Sequence, residues 1–189
     1  MKFLTALDSG VQNILYYLTI ALFIALTGIL AVNVALRLVN DLSLFVAAHG
    51  FDRAAAAIKA LFPAASLHWF DEIVELCFAS LVFYGAAALW AKGGHFSVGD
   101  WISSRLPGHA SRSLYKLLVT CVSVVFVGVF FWFSLRLALH ATELSTVFQI
   151  PKAWMYACMP ISSFIMGVYS LGELARDLKA FAAKGSAGQ

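Results

Sequence analysis

The sequence predicts an all-α integral membrane protein with four transmembrane helices, and three observations predict it. Of its 189 residues, 61% are hydrophobic and only 12% are charged, against about 45–50% and about 25% in average soluble domains. A soluble domain of this length has too little interior to hide so much apolar surface, and the mean hydropathy of +0.84 agrees. The apolar residues also gather into four runs, each as long as the roughly 20 residues a helix needs to cross a bilayer. These features exclude a soluble globular enzyme and a disordered chain. The net charge of +3 is small and its basic residues are scattered, so no footprint for nucleic acid exists and none is expected as a partner.

The runs span about 11–39, 70–91, 114–139 and 154–174 and make one membrane domain of the whole chain. In the first, Asn33 and Arg37 dilute the last turns. Its length and the lack of a small-x-small site before Arg37 favour a retained helix over a cleaved signal peptide. Cys77, Cys121 and Cys158 lie in apolar runs without ligand spacing, which predicts buried small hydrophobes rather than disulfides or a zinc site. Ser163 and Gly167 are four apart in the fourth run, and Gly28, Gly85 and Gly128 offer close approach elsewhere. Pro160 lacks an N–H and is expected to kink the fourth helix.

Lysine and arginine placement sets the expected orientation. The N-terminus, second loop and tail carry eight, counting Lys2, Lys92, Arg105, Arg112, Lys116, Arg176, Lys179 and Lys184. The first and third loops carry five: Arg37, Arg53, Lys59, Arg136 and Lys152. Both termini are therefore expected in the cytoplasm, N-in/C-in.

Two segments are expected to lie on the bilayer rather than across it. After Gly93-Gly94, Ser97 and Asp100 resemble a capping box that would open a short helix, and Pro107-Gly108 would end it. Val98, Trp101, Ile102 and Leu106 then share one face, as in a short cytoplasmic interfacial helix over about 97–106. The first loop, about 40–69, holds a second candidate at about 52–62, on the outer side. There Asp52 caps an alanine-rich turn, and Ile58, Leu61 and Phe62 share a face before Pro63.

Charged side chains near membrane depth are costly and usually pair. Asn33 and Arg37 close the first span, Asp71, Glu72 and Glu75 open the second, and Arg136, His140 and Glu143 form a stripe at the exit of the third. The expected pairing is Arg37 and Arg136 with Glu72 and Glu75, a polar latch between helices or subunits. An ion or proton path ranks behind that reading, and a catalytic or metal site behind both. His140-x-x-Glu143 reverses the Glu-x-x-His order of di-iron bundles and occurs once. His49, His68, His95 and His109 fall in expected loops, which leaves His140 as the lone candidate haem ligand. No nucleophile elbow, Walker loop or H-E-x-x-H motif is present, so nothing points to an enzyme or to a cofactor. The four spans show neither paired half-helices nor an inverted repeat, the marks of a transporter's own substrate site.

Several motifs, taken in order, resemble a known family. Trp69-Phe70-Asp71-Glu72 leads into the second helix, and Gly94-His95-Phe96-Ser97-Val98-Gly99-Asp100 comes after it, with Gly99 inserted before the acidic residue. Ser145-Thr146 through Ile150-Pro151, Trp154, Tyr156 and Pro160 complete the pattern. The chain resembles the small four-helix subunit (DctQ-like) of tripartite ATP-independent periplasmic (TRAP) transporters. The resemblance implies a non-catalytic accessory subunit packed on a large multi-helix permease subunit that carries substrate and sodium sites. A periplasmic substrate-binding protein is then expected to deliver an organic acid, with uptake driven by an ion gradient. The alternative, motivated by His140 and the four-helix layout, is a haem- or quinone-binding anchor of a redox complex. A visible spectrum of the purified protein separates them: no Soret band is expected, and a strong one would overturn the assignment.

Overall fold

In hydrocarbon no water is available to backbone N–H and C=O groups, so a spanning segment must satisfy them internally. All four apolar runs are accordingly helical. The computed structural model describes residues 2–61, 68–93 and 109–186. Its elements are α1 (Lys2–Ala48), α2 (Asp52–Leu61), α3 (His68–Ala91), α4 (His109–His140), the single turn α5 (Ala153–Tyr156) and α6 (Cys158–Ser186). Four stretches are long and apolar enough to cross a membrane: Asp8–Ala48, Phe70–Ala91, Ser111–His140 and Ala153–Ala182. The interfacial helix expected at 97–106, with Val98, Trp101, Ile102 and Leu106, lies outside the described residues.

The helices outrun the expected spans. The largest correction concerns α1, which continues nine residues past position 39, through what reads as the start of the first loop, to Ala48. Bilayer thickness sets the length of a span, but a helix stops only where its sequence breaks it. Residues 40–48 contain no breaker, and Ser43 Oγ satisfies itself on the Asn40 carbonyl at 2.7 Å. The break comes at Gly50, whose φ of +83° is readily open only to glycine. Beyond it α2 forms where a helix is expected, with Ala55 buried and packed back on α1. His68 and His109, expected in loops, are the first residues of α3 and α4. The fourth run is split at Ala157, three residues ahead of Pro160 and its missing N–H.

α3 lies between α1 and α6, and α4 packs chiefly on α6. Each long helix contributes one residue to a shared waist of Leu15, Ala87, Val127 and Met166. Between lipid-embedded helices there is little hydrophobic driving force, so close approach of small residues matters most. A β-carbon added at Gly85 would stand 3.6 Å from Thr19 Cγ2, and one at Gly167 3.7 Å from Val127 Cγ1. The expectation for Gly28 and Gly128 is corrected, since nothing lies within 4 Å of either. Cys158 is buried, but Cys121 faces outward from α4, because an apolar sequence neighbourhood in a membrane helix does not distinguish lipid from protein. Ring pairs Phe83–Phe130 and Phe131–Phe164, each with centroids 5.9 Å apart, tie α4 to α3 and α6.

The Gly167 contact is testable. Gly167→Ala reaches ordinary van der Waals distance and gains about 1 kcal/mol of helix propensity, so its thermal midpoint in detergent should hold or rise. Gly167→Leu overfills the α4–α6 contact and should lose about 1–3 kcal/mol. Equal midpoints for the two variants would contradict the close approach.

Candidate functional site

Of the predicted polar residues, Glu72 and Glu143 are engaged by partners at the end of the bundle that carries the 141–152 connection. There the chain closes a small ring. Leu144 and Pro151 form an antiparallel bridge, Ser145 N–H donates to the Ile150 carbonyl at 2.8 Å, and Lys152 N–H to the Glu143 carbonyl at 2.9 Å. Gln149 turns the corner with a positive φ of 53°, uncommon for a non-glycine residue, and its amide donates to the Thr146 carbonyl at 3.2 Å.

Glu72, in the first turns of α3, holds this ring. Its Oε1 accepts the Thr146 hydroxyl and the Val147 N–H, each at 2.7 Å. Its Oε2 accepts the Ser145 hydroxyl and the Phe148 N–H, the latter at 3.4 Å. An ionised carboxylate only accepts, and here both oxygens are committed to hydroxyls and backbone donors. Such a group positions a loop rather than carrying protons. The clasp leaves Val147, Phe148, Ile150 and Trp154 exposed as an apolar rim.

The expected pairing is therefore corrected: Arg37 and Arg136 make no ion pair with Glu72 or Glu75 within this chain. The donors of the 145–148 turn reach Glu72 instead, because the ring closes directly over the start of α3. Arg37, Asp71, Glu75 and Arg136 are exposed. The Arg136, His140, Glu143 stripe also breaks. His140 Nδ1 lies 2.9 Å from the Arg136 carbonyl, but α4 ends at His140, and Glu143 belongs to the ring. Glu143 pairs with Lys152 at 3.1 Å. That hydrogen bond, then the Glu143 charge, raises the Lys152 pKa above its ordinary value, with Glu75 a smaller contributor. A raised lysine pKa favours the protonated, paired form. On the lysine side the bridge is thus intact throughout physiological pH and is lost as pH rises through the raised value.

Sequence reasoning missed the other end of the bundle. There Trp90 Nε1 donates to Ser170 Oγ at 2.8 Å, Thr120 Oγ1 to Asp177 Oδ2 at 2.9 Å, and Tyr169 OH to Asp8 Oδ1 at 2.6 Å. These residues are scattered singly along the chain, and Thr120, Tyr169 and Ser170 lie well inside their helices, so no local pattern marked them. Asn33 is buried, and its Oδ1 has no hydrogen-bond partner among the described residues. Among the described residues no three His, Cys, Asp or Glu side chains stand together as a metal site.

The family model for the DctQ component of tripartite ATP-independent periplasmic transporters matches residues 54–180. The chain belongs to the DctQ family. The match begins inside α2 and ends inside α6, so it includes α3, α4 and the Glu72-held ring but not α1. DctQ proteins are a transporter-component family rather than an enzyme family, and this DctQ chain is a small membrane subunit of a TRAP transporter. A search of curated proteins found no match.

The clasp has a direct readout. In Glu72→Gln, one oxygen becomes an N–H donor facing other donors, so the Val147 and Phe148 amides should exchange with solvent about tenfold faster. Glu143→Gln breaks only an exposed pair and should leave those amides near the wild-type rate. Unchanged exchange in Glu72→Gln would remove the carboxylate from its holding role.

Proposed function

We propose that this DctQ chain is a non-catalytic accessory subunit that stabilises and orients the large permease subunit of a TRAP-type secondary transporter. The assembly takes up an organic acid, handed over by a periplasmic substrate-binding protein, at the expense of a sodium gradient. On this reading the chain crosses the bacterial inner membrane four times with both termini cytoplasmic, and the Glu72-held ring and α2 face the periplasm.

One observation carries the proposal beyond family membership: the buried hydroxyls and Glu72 are spent on the chain's own helices and connections, Asn33 Oδ1 being the buried exception among the described residues. Buried Ser43, Ser134, Ser162 and Ser163 donate to carbonyls of their own helices. Ser145, Thr120 and Ser170 join one element to another. Glu72 is saturated. Large apolar side chains such as Phe126, Trp132 and Phe164 point outward. A chain built this way supports neighbours and leaves substrate chemistry to them. The exposed Arg37, Asp71, Glu75, Arg136, His140 and Glu143 serve, on this reading, as a latch toward the large subunit, since a charge at the membrane boundary is retained where a partner answers it.

Co-expression with the large permease subunit of the same transporter should yield a co-purifying complex. A stably monomeric chain indifferent to that subunit would overturn the proposal. Glu75→Ala or Arg136→Ala should lower recovery of the complex, because stranding one charge of a dry pair costs about 3–5 kcal/mol. Unchanged recovery with altered sodium dependence of uptake would move these residues from latch to ion path.

A further inference from the structure

We infer that α1 carries a docking stripe for a long apolar helix of the large permease subunit, separate from the polar latch; this rests on the accessory-subunit role proposed for the chain. α1 buries one face against α3 through Leu15, Leu26 and Asn33, spaced eleven and seven residues apart. A different face is open. Thr27, Ala31 and Ala35 form the floor of a groove, and Leu30, Val34 and Leu38 form its ridge. Rows four residues apart, one small and one large, are the relief into which another helix packs. Leu42 and Phe45 continue the same face for two further turns, with the exposed Asp41 at its edge between Leu38 and Phe45.

The length of the stripe decides what covers it. Contact of Thr19 with Gly85, and of Gln12 with the Ala91 carbonyl at 3.4 Å, fixes the antiparallel register of α1 and α3. That register brings the start of α3 level with about residue 36 of α1, so the last turns of α1 project about 18 Å beyond it. α3 alone is about 36 Å long, already enough for the roughly 30 Å hydrocarbon core. Tilting does not bring the projection back into lipid. The apolar stretch Asp8–Ala48 has 41 residues and is about 60 Å long, which demands a tilt of about 60°, beyond the usual 0–40°. Yet Leu38, Leu42 and Phe45 in and beside the projecting part are 63%, 53% and 62% exposed. α2 also packs on α1 and leaves these stripe residues exposed.

Lipid covers the lower stripe and not the upper, and water is a poor solvent for the upper. One helix that runs along α1 from mid-membrane out past the bilayer covers both. A second copy of this chain fits less well, because the bilayer holds copies parallel. That pairing sets Asp41, which borders the stripe, against its own equivalent at the same height, and like charges so placed repel. A different, membrane-embedded partner has no such restriction.

The test uses the full chain co-expressed with its large subunit. A photoreactive residue at Ala31 or Leu42 should crosslink to a single helix of the large subunit, while the same residue at Phe126, outward on α4, should not. Ala31→Trp fills the groove floor and should reduce complex recovery about tenfold. As an exposed position on the helix, it should leave the thermal midpoint of the isolated chain unchanged. Wild-type recovery of Ala31→Trp, or crosslinks from Ala31 and Leu42 only to lipid or to another copy, would overturn the stripe while leaving the accessory role intact. Failure of the wild-type chain to recover the large subunit would overturn both.

Discussion

A bilayer removes water from the backbone and, with it, most of the hydrophobic reason for helices to associate. Each long helix here is complete by itself, so tertiary structure has only to hold finished rods together. That explains an interior made of Leu15, Ala87, Val127 and Met166 with serines and close-approach glycines around it, rather than a thick aromatic core. Ser43, Ser134, Ser162 and Ser163 bond to their own helices, so they add closeness without leaving their hydroxyls unsatisfied.

Side-chain hydrogen bonds between elements fall into two groups, on either side of the α1–α3 contact. At one end Glu72 gathers four donors from a single turn and fixes the path from α4 into α5 and α6. At the other, Asp8, Trp90, Thr120, Tyr169, Ser170 and Asp177 pair across helices. The bundle is held by these few bonds and a small shared core, which leaves broad outward faces. That shape suits a subunit whose work is done on its outside, and α1, with most of its length unburied, is the extreme case.

Much of the arrangement was legible in the sequence, and the misses have a common cause. The four runs, a helix after Asp52, the interruption ahead of Pro160 and the motifs of the family are all local features. Helix ends were less legible, because bilayer thickness sets a span but not a helix, and so α1 runs to Ala48. The polar residues near one end were identified without their partners. Glu72 invited an arginine by charge, yet the ring over α3 offers hydroxyls and N–H groups closer at hand. Glu143 was counted on a helix that ends three residues earlier.

By itself, the sequence determined that this chain is a four-span membrane protein with DctQ motifs, because hydropathy and helix breaking act over a few neighbouring residues. Only the tertiary structure decided what Glu72 holds, which glycines touch a neighbour, and which face of α1 is left open. Those depend on register between segments far apart in the chain. In a membrane helix, an apolar residue facing lipid and one facing protein look the same until the neighbouring helix is in place.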